Sequence, residues 1–517
     1  MHSPNKITSL RIELLVGDYN CYLSYLCYLV GDFALLGKDP NIKDRQKQPW
    51  LIQGGMGIAI SNWALARSVS LSGQLGVVSG TGIADVFVRR LQDCQYDENL
   101  QDVLDSFPLQ DVVEQALAKY GKKRLPNEPY LNIPMLSHRN VVRSQDLLVL
   151  ATYVEVSLAK AGHEGIVGIN LLTKIQLPTL ATLFGAILAG VDYVLMGAGV
   201  PTQIPGVLDQ LSLGEKAEFS LNLSGDISLE QKVPTISFDP KRFISKGNLP
   251  LSLIRPRFIG IVSSHVLASA LATRSNGQVD GFVVESPIAG GHNAPPRGHY
   301  DLDEKGNPIY GQRDKVNFDS MVKLGLPFWI AGGITHPKDV EQAFELGAAG
   351  VQVGTLFAYC QESGMDPSLK RKVIQTLKDS QLEVKTSTKA SSTGYPFKVV
   401  SIEKTLSDKE VYDQRKRICD IGYLRQAYVK QDGGIGYRCP GEPIDQYVKK
   451  GGTVEDSQDR LCLCNALMAS CGLGQFRADG FQEPPVVTSG DSLDDIRFVL
   501  KNDTSYRAQD VIRYLAG

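Results

Sequence analysis

The stretch IAGGITHPKDVEQAFELGAAGVQVGTLF, residues 330–357, contains the end of one apolar run, an amphipathic segment and a second apolar run. The two runs, PFWIAG (327–332) and AGVQVG (349–354), predict β-strands, and a helix is predicted between them at 337–346. Strands joined through a helix lie parallel, because the crossover returns the chain to the same edge of the sheet. The stretch therefore predicts parallel α/β structure.

The same alternation extends outward from this stretch and covers the chain from Pro49 to Thr376. Eight apolar runs predict strands, at 49–53, 75–79, 166–172, 191–196, 257–263, 279–285, 327–332 and 349–354. Helices are predicted at 61–72, 146–161, 177–189, 264–274, 337–346 and 366–379. Both faces of such strands are buried. Eight strand–helix units that close on themselves predict a TIM (β/α)8 barrel, with its active site at the carboxyl ends of the strands.

The barrel is expected to span 49–379 and to carry three insertions, near 80–165, 200–256 and 286–320. Turn residues in the second insertion predict a β-hairpin. The alternation fades after the barrel, so we expect 380–517 to form a C-terminal cap region that ends in a helix over 491–501.

Residues 1–48 are expected to form an N-terminal extension, whose structure the pattern does not define. An apolar run at 21–36 is interrupted by Asp32 and is too short for a bilayer span, so we expect no membrane partner.

Composition limits the class of protein. The 517 residues are 43% hydrophobic with a formal net charge of −2, which suits a large soluble core and gives no electrostatic case for binding nucleic acid. Nine scattered cysteines favour a reducing, cytoplasmic compartment over a disulfide scaffold. The oligomeric state stays open, with a homodimer among the candidates.

Glycines lie at the carboxyl ends of three of the predicted strands, and at two of these ends they are paired. In LIQGGMG (51–57), Gly54 and Gly55 either make a tight turn or let a planar ligand approach the backbone. Gly332-Gly333 and Gly354-Thr355 follow predicted strands seven and eight, where barrels of this class bind phosphate through backbone amides.

The loop AGGHNAPPRGH (289–299) follows predicted strand six and places His292 at the catalytic end of the barrel. A neutral imidazole can donate or accept a proton near pH 7, and we favour His292 over His299 for this role. Asn170 on predicted strand three and Lys174 just after it point towards the mouth; each is either a flavin contact or a structural cap.

The late cysteines do not predict a metal site. Cys419, Cys439, Cys462, Cys464 and Cys471 lack the paired CxxC spacing of zinc sites and the spacing of iron–sulfur sites. We expect thiols and no metal.

Together, QGGMG, AGGH, AGGI and GVQVGT resemble, in order and spacing, the nitronate monooxygenase family, formerly called 2-nitropropane dioxygenases. The flavin-dependent enoyl-acyl-carrier-protein reductases are similar to it. The resemblance covers about 49–375 and implies an FMN-binding TIM barrel with His292 as the active-site histidine. It implies cofactor contacts from Gly54, Gly55, Met56, Asn170, Lys174, Gly290 and Gly291, and a phosphate site from Gly332, Gly333, Gly354 and Thr355.

The resemblance implies oxidation of alkyl nitronates by O2 to carbonyl compounds and nitrite. His292 would hold the anionic nitro group or remove the α-proton of a nitroalkane. The segment HNAPPRGH and the insertions depart from the small bacterial members, so the substrate stays open; Asn293 and Arg297 are candidate substrate contacts.

The first alternative is an NAD(P)H-dependent enoyl reductase acting on an acyl-carrier thioester in fatty-acid or polyketide synthesis. The second is a flavin-binding scaffold without catalysis. A barrel like that of inosine monophosphate dehydrogenase is excluded. That reaction needs a nucleophilic cysteine in the loop after strand six, and residues 286–320 contain no cysteine.

Overall fold

The computed structural model describes residues 48–139, 141–225, 233–379, 382–501 and 504–517. Residues 1–47 of the predicted N-terminal extension, including the apolar run at 21–36, lie outside the described residues.

The strands confirm the predicted alternation. In chain order they are β1 (Leu51–Gln53), β2 (Gly76–Ser79), β3 (Val167–Leu172), β4 (Tyr193–Gly197), β5 (Ala217–Ser220), β6 (Leu223–Ser224), β7 (Thr235–Phe238), β8 (Arg257–Val262), β9 (Gly281–Glu285), β10 (Phe328–Ala331), β11 (Gly350–Val353), β12 (Val384–Ser387), β13 (Phe397–Val400), β14 (Gln426–Val429) and β15 (Ile435–Arg438). Each of the eight predicted barrel strands overlaps one of β1–β4 and β8–β11.

Those eight strands form one parallel sheet in the order β1-β11-β10-β9-β8-β4-β3-β2. The sheet closes because the two strands at its ends also pair. Gln53 N–H donates to Leu75 O (3.0 Å), and Leu75 N–H donates to Leu51 O (3.1 Å). The fold is therefore the predicted TIM barrel, and the carboxyl ends of its strands meet at one mouth.

Helices lie around and beyond the barrel. They are α1 (Trp63–Leu71), α2 (Ile83–Asp93), α3 (Leu100–Asp105), α4 (Gln110–Tyr120), α5 (Val142–Lys160), α6 (Gln176–Leu188), α7 (Ile204–Ser212), α8 (Lys241–Lys246), α9 (His265–Arg274), α10 (Phe318–Lys323), α11 (Pro337–Glu345), α12 (Thr355–Ala358), α13 (Pro367–Asp379), α14 (Lys409–Gln414), α15 (Ile444–Lys449), α16 (Leu463–Ser470), α17 (Ile496–Leu500) and α18 (Ala508–Ala516).

Successive strand residues point to opposite sides of the barrel wall, and this alternation builds two cores. Ile52 and Trp329 pack in a cluster within the barrel, together with Leu75, Val77, Leu195, Ile259 and Val283. Their neighbours Leu51 and Phe328 pack outward in the main core, beneath the helices.

The insertions differ in kind. The first is helical, with α2 to α4 ahead of α5. The second contains the predicted hairpin, since β5 and β7 pair antiparallel, with Ala217 opposite Phe238. No helix among the described residues combines the length and apolar character required to cross a membrane.

Residues 382–517, called the cap below, contact both the barrel and its first insertion. The Arg89 guanidinium, fully buried in α2, donates to Leu473 O (2.6 Å). Tyr130 N–H donates to Gln475 Oε1 (2.7 Å). Buried hydrogen bonds of this kind hold the cap against the first insertion.

Candidate functional site

One cavity lies at the carboxyl ends of the barrel strands and is bounded on its other side by the cap. The predicted site residues that line it are Gly54, Gly55, Met56, Asn170, Gly290, Gly291, His292, Gly332, Gly333, Gly354 and Thr355. The barrel closure therefore brings together residues that are up to 301 positions apart in sequence, from Gly54 to Thr355.

The loop after β1 is held by a buried serine. Ser61 Oγ donates to Gly54 O (2.9 Å) and accepts from Met56 N–H (2.8 Å). Gly55 lies against Asn170: a Cβ on this glycine would come within 2.2 Å of Asn170 Cβ. Asn170 Nδ2 donates to Gly55 O (3.2 Å), whereas its buried Oδ1 has no protein partner. The loop thus presents backbone and one unpaired amide oxygen.

The paired glycines after β10 require their residue type. Gly332 and Gly333 have φ of 91° and 78°, and added Cβ atoms would lie 2.5 Å from Ser286 Oγ and from Ile288 Cδ1 respectively. Gly354, after β11, differs, because a Cβ there would meet only Met56 Sδ, at 3.8 Å. Space beside Gly354 is therefore open towards the cavity.

Two cap segments hold the loop of His292. The first cap segment, residues 390–398, adds a donor and an acceptor: Lys398 N–H donates to Gly291 O (2.9 Å), and Asn293 N–H donates to Pro396 O (2.9 Å). The second cap segment, residues 486–492, accepts from Gly291 N–H at Thr488 Oγ1 (2.9 Å). The loop is consequently fixed on both sides.

His292 itself contacts the first cap segment. Its Nε2 lies 2.7 Å from Ser391 Oγ, and the Phe397 ring packs edge-on at 4.8 Å between centroids. Burial, with a smaller contribution from the nearby Lys174 ammonium, lowers the pKa of His292 to about 3. The imidazole is therefore neutral at physiological pH.

Lys174, a predicted cofactor contact, lies beside the first cap segment. It lies outside the cavity lining, and its Nζ donates to Thr393 Oγ1 (3.5 Å) and lies over the Tyr395 ring. Burial lowers the pKa of Lys174 to about 7. Its side chain faces the cap because the first cap segment supplies both a hydroxyl acceptor and an aromatic face.

Asn293 and Arg297, the candidate substrate contacts, also lie outside the cavity lining. Asn293 Nδ2 donates to Ala289 O (3.0 Å) within its own loop. Arg297 lies beside Asp314, which accepts from the Arg297 backbone N–H (2.8 Å) and lies 3.6 Å from its Nε. Both residues order the loop in this structure, and an anionic partner already occupies the vicinity of Arg297. His299 is exposed.

Several residues that line the cavity were not predicted from the sequence. Glu285, the last residue of β9, lines the cavity, and burial raises its pKa to about 7. The sequence did contain a signal for Glu285 as a site residue, because it is an acidic residue that ends the apolar run GFVVE. Thr488, Gly490 and Ser492 of the second cap segment also line the cavity, and Gly490 N–H donates to Thr355 Oγ1 (2.9 Å). No periodicity marks these cap residues.

The cysteines among the described residues are free thiols. In the part of the chain that the structure describes, no group of three or more His, Cys, Asp or Glu side chains is arranged to hold a metal ion. Cys464 lines the cavity, and burial raises the pKa of its thiol.

Two proteins named as probable nitronate monooxygenases match part of this chain. "Probable nitronate monooxygenase" of Bacillus subtilis (strain 168) is 32% identical over 115 residues, which are 22% of this chain and 31% of that protein. The protein of the same name from Staphylococcus saprophyticus is 28% identical over 169 residues, 32% of this chain and 44% of that protein. The matches thus span less than half the length of either relative.

Among solved structures, FabK from Thermotoga maritima aligns with 93% of this chain and 95% of its own, at 15% identity and a TM-score of 0.43. The model of the family described as "Nitronate monooxygenase" matches residues 213–432, which include AGGH, AGGI and GVQVGT. The resemblance to the nitronate monooxygenase family is therefore confirmed over the second half of the barrel and the first part of the cap.

Proposed function

We propose that this protein is an FMN-dependent oxidoreductase that oxidises alkyl nitronates with O2 to carbonyl compounds and nitrite. The observation that carries the proposal is the position of a neutral, partly buried His292 on the same cavity as three glycine loops. The family match over 213–432 supports the same class of reaction.

The cavity residues fit a flavin. Buried polar atoms of two lining residues, Asn170 Oδ1 and Gln352 Oε1, have no protein partner and suit hydrogen bonding to a polar ring edge. Gly54, Gly55 and Met56 would lie along the ring, with Gly290 and Gly291 beside it. An apolar cavity with a few unpaired polar atoms is typical of cofactor sites.

The phosphate end of FMN would lie at the loops after β10 and β11. Gly332, Gly333 and Gly354 carry no side chain of their own that could cover their backbone N–H groups, and the Thr355 hydroxyl, which accepts from Gly490 N–H, can still donate a hydrogen bond. FMN would supply the electron transfer of the reaction.

His292 would act on the substrate directly. A neutral imidazole can donate one N–H to the anionic nitro group, or accept the α-proton of a neutral nitroalkane through its unprotonated nitrogen. Apolar residues in the cavity wall lower the local polarity and so strengthen such a hydrogen bond.

Enoyl-thioester reduction is the second candidate, and one observation favours it. One part of the cap side of the cavity is apolar, with Leu424, Leu463, Leu467 and Val486 in its wall. Such a wall suits an acyl chain better than a small nitronate. In this alternative NAD(P)H is the reductant, the thioester is carried by an acyl carrier, and His292 polarises the thioester carbonyl or protonates the α-carbon.

Anaerobic stopped-flow absorbance distinguishes the two. The purified protein should carry FMN, and a nitronate should bleach its absorbance whereas NADPH should not; admitting O2 should then yield nitrite. Bleaching by NADPH alone would overturn the nitronate reaction in favour of the reductase, and a protein without flavin would overturn both. His292→Ala should retain FMN and lose most of the turnover; an unchanged rate would refute its role.

A further inference from the structure

We propose that Ser391 and Thr393 of the cap form a proton relay between His292 and Lys174, and that Lys174 stores the proton which His292 exchanges with the substrate. The inference rests on the proposed function insofar as it assigns His292 the proton transfer. Its geometry, however, stands apart from the identity of the substrate.

The relay is continuous in the structure. His292 Nε2 lies 2.7 Å from Ser391 Oγ, Ser391 Oγ lies 2.8 Å from Thr393 Oγ1, and Lys174 Nζ lies 3.5 Å from Thr393 Oγ1. Ser391 is fully buried. Hydroxyl groups donate and accept at once, so two in sequence can pass a proton in either direction.

The backbone fixes the relay in place. The Arg460 guanidinium donates to Ser391 O (2.6 Å) and to Lys389 O (2.9 Å), and Thr393 N–H donates to Ser391 Oγ (3.2 Å). Two of these bonds hold the backbone of the turn, and the third orients the Ser391 hydroxyl. The two serine–threonine oxygens are thus positioned by the cap, not by the barrel.

A charged Lys174 sets the direction of every bond in the relay. An ammonium only donates, so Thr393 accepts from Lys174; within the relay Thr393 then donates to Ser391, and Ser391 donates to His292 Nε2. The imidazole must therefore carry its proton on Nδ1, which has no hydrogen-bonding partner in the described residues. Nδ1 is left to the substrate.

Proton balance follows from reversing these bonds. With Lys174 neutral, His292 donates from Nε2 through Ser391 and Thr393, and Nδ1 presents a lone pair. When Nδ1 takes the α-proton of a nitroalkane, the Nε2 proton moves to Ser391, the Ser391 proton to Thr393 and the Thr393 proton to Lys174. The substrate loses one proton and Lys174 gains one.

Because His292 is buried, a second group must hold the proton that it takes from the substrate. With a pKa of about 3, the His292 imidazolium cannot persist at physiological pH. Lys174, with a pKa of about 7, holds a proton or releases it near neutrality. Among the described residues, the titratable groups recorded in contact with Lys174 are His292 and Tyr395, and the Tyr395 ring faces the ammonium.

The first test needs no turnover. In protein labelled with ¹⁵N-histidine, two-bond ¹H–¹⁵N correlation spectra report the tautomer of each ring, and His292→Gln identifies the signal of His292. We expect the Nδ1–H tautomer at pH 6 and a shift towards Nε2–H at pH 8, with a midpoint near 7. Lys174→Met and Ser391→Ala should abolish the shift, whereas the exposed Lys385→Met and Ser401→Ala should retain it. An identical tautomer profile in wild type and Lys174→Met would overturn the relay.

The second test compares two substrates at pH 8. A freshly dissolved neutral nitroalkane must lose a proton to the relay, whereas its nitronate has none to lose. Lys174→Met and Thr393→Val should lower the rate of flavin reduction by the nitroalkane at least tenfold more than the rate with the nitronate. Equal losses would refute the relay. If neither substrate reduces the wild-type flavin, the proposed function fails while the tautomer test still decides the relay.

Discussion

Lys398 and Asp491 form an ion pair between the two cap segments that hold the loop of His292, with 2.5 Å between Nζ and Oδ1. The pair is unequal, since the Lys398 side chain is 3% exposed and that of Asp491 is 40% exposed. Each partner also binds the loop through its backbone: Lys398 N–H donates to Gly291 O, and Asp491 N–H to Ile288 O. The ion pair therefore ties together both supports of the loop.

Because the Lys398 and Asp491 side chains differ in exposure, removing one should lower the free energy of unfolding by a different amount than removing the other. Asp491→Asn leaves a buried ammonium without its counter-charge and should lower the free energy of unfolding by about 2–3 kcal/mol, because an unpaired buried charge is costly. Lys398→Met leaves a carboxylate that water can solvate and should cost about 1 kcal/mol. Denaturant unfolding measures both; a larger loss in Lys398→Met would contradict this account.

Gly354→Ala should separate cofactor binding from folding. Its added methyl group meets only Met56 Sδ, at 3.8 Å, so the apoprotein should unfold at nearly the wild-type denaturant concentration. The methyl group would occupy space at the expected phosphate end and should weaken FMN binding about tenfold, or about 1.4 kcal/mol. Flavin fluorescence titration of the apoprotein measures the affinity. Gly311→Ala, which meets no atom within 4 Å in an exposed loop, is the matched control. Wild-type affinity in Gly354→Ala would place the phosphate elsewhere.

Asn170→Ala should weaken FMN binding more than it weakens the fold. The side chain makes one bond to the protein, from Nδ2 to Gly55 O, and its Oδ1 has no protein partner. We expect an affinity loss of about tenfold, since one hydrogen bond to the cofactor contributes about 1.4 kcal/mol. Equilibrium dialysis against FMN, alongside unfolding of the apoprotein, checks the difference. A loss of stability without a loss of affinity would make Asn170 purely structural.

Glu285 should make stability depend on pH. Burial raises its pKa from 4.5 to about 7, so between these values the folded protein binds a proton that the unfolded chain does not. The contribution of this group is fully present below pH 4.5 and is lost as pH rises through 7. Glu285→Gln removes the titration, so relative to wild type it should gain up to about 3 kcal/mol between pH 4.5 and pH 8. Unfolding at a series of pH values measures the gain, and a constant difference would place the Glu285 pKa near its ordinary value.

The barrel was predictable because its signal is local. Each of the eight strands is a short apolar run, and β-branched residues such as Val77, Val194 and Val283 are buried on one side of the wall or the other. The position of His292 at the mouth of the barrel was predictable for the same reason, since the residue follows a strand. Element type and order in such a fold follow from periodicity alone.

What could not be predicted depends on contacts distant in sequence. Ser391 lies 99 positions from His292, and Thr393 lies 219 positions from Lys174. No periodic pattern marks a polar, turn-rich stretch as part of a site. The contact of Lys174 with the flavin stays a prediction; its contacts with Thr393 and the Tyr395 ring could not be predicted from the sequence. Arg297 was predicted to contact the substrate. In the structure, Asp314 accepts from the Arg297 backbone N–H and lies 3.6 Å from its Nε.

The dependence of the His292 loop on two cap segments has a consequence for biosynthesis. During translation the barrel strands emerge from the ribosome long before Asp491, so a nascent chain can assemble its eight-stranded wall while the loop of His292 still lacks both supports. The order of synthesis thus delays competence for chemistry until nearly the whole described chain has been made. The cavity, which we propose oxidises its substrate with O2, is thereby completed last, after the fold that encloses it.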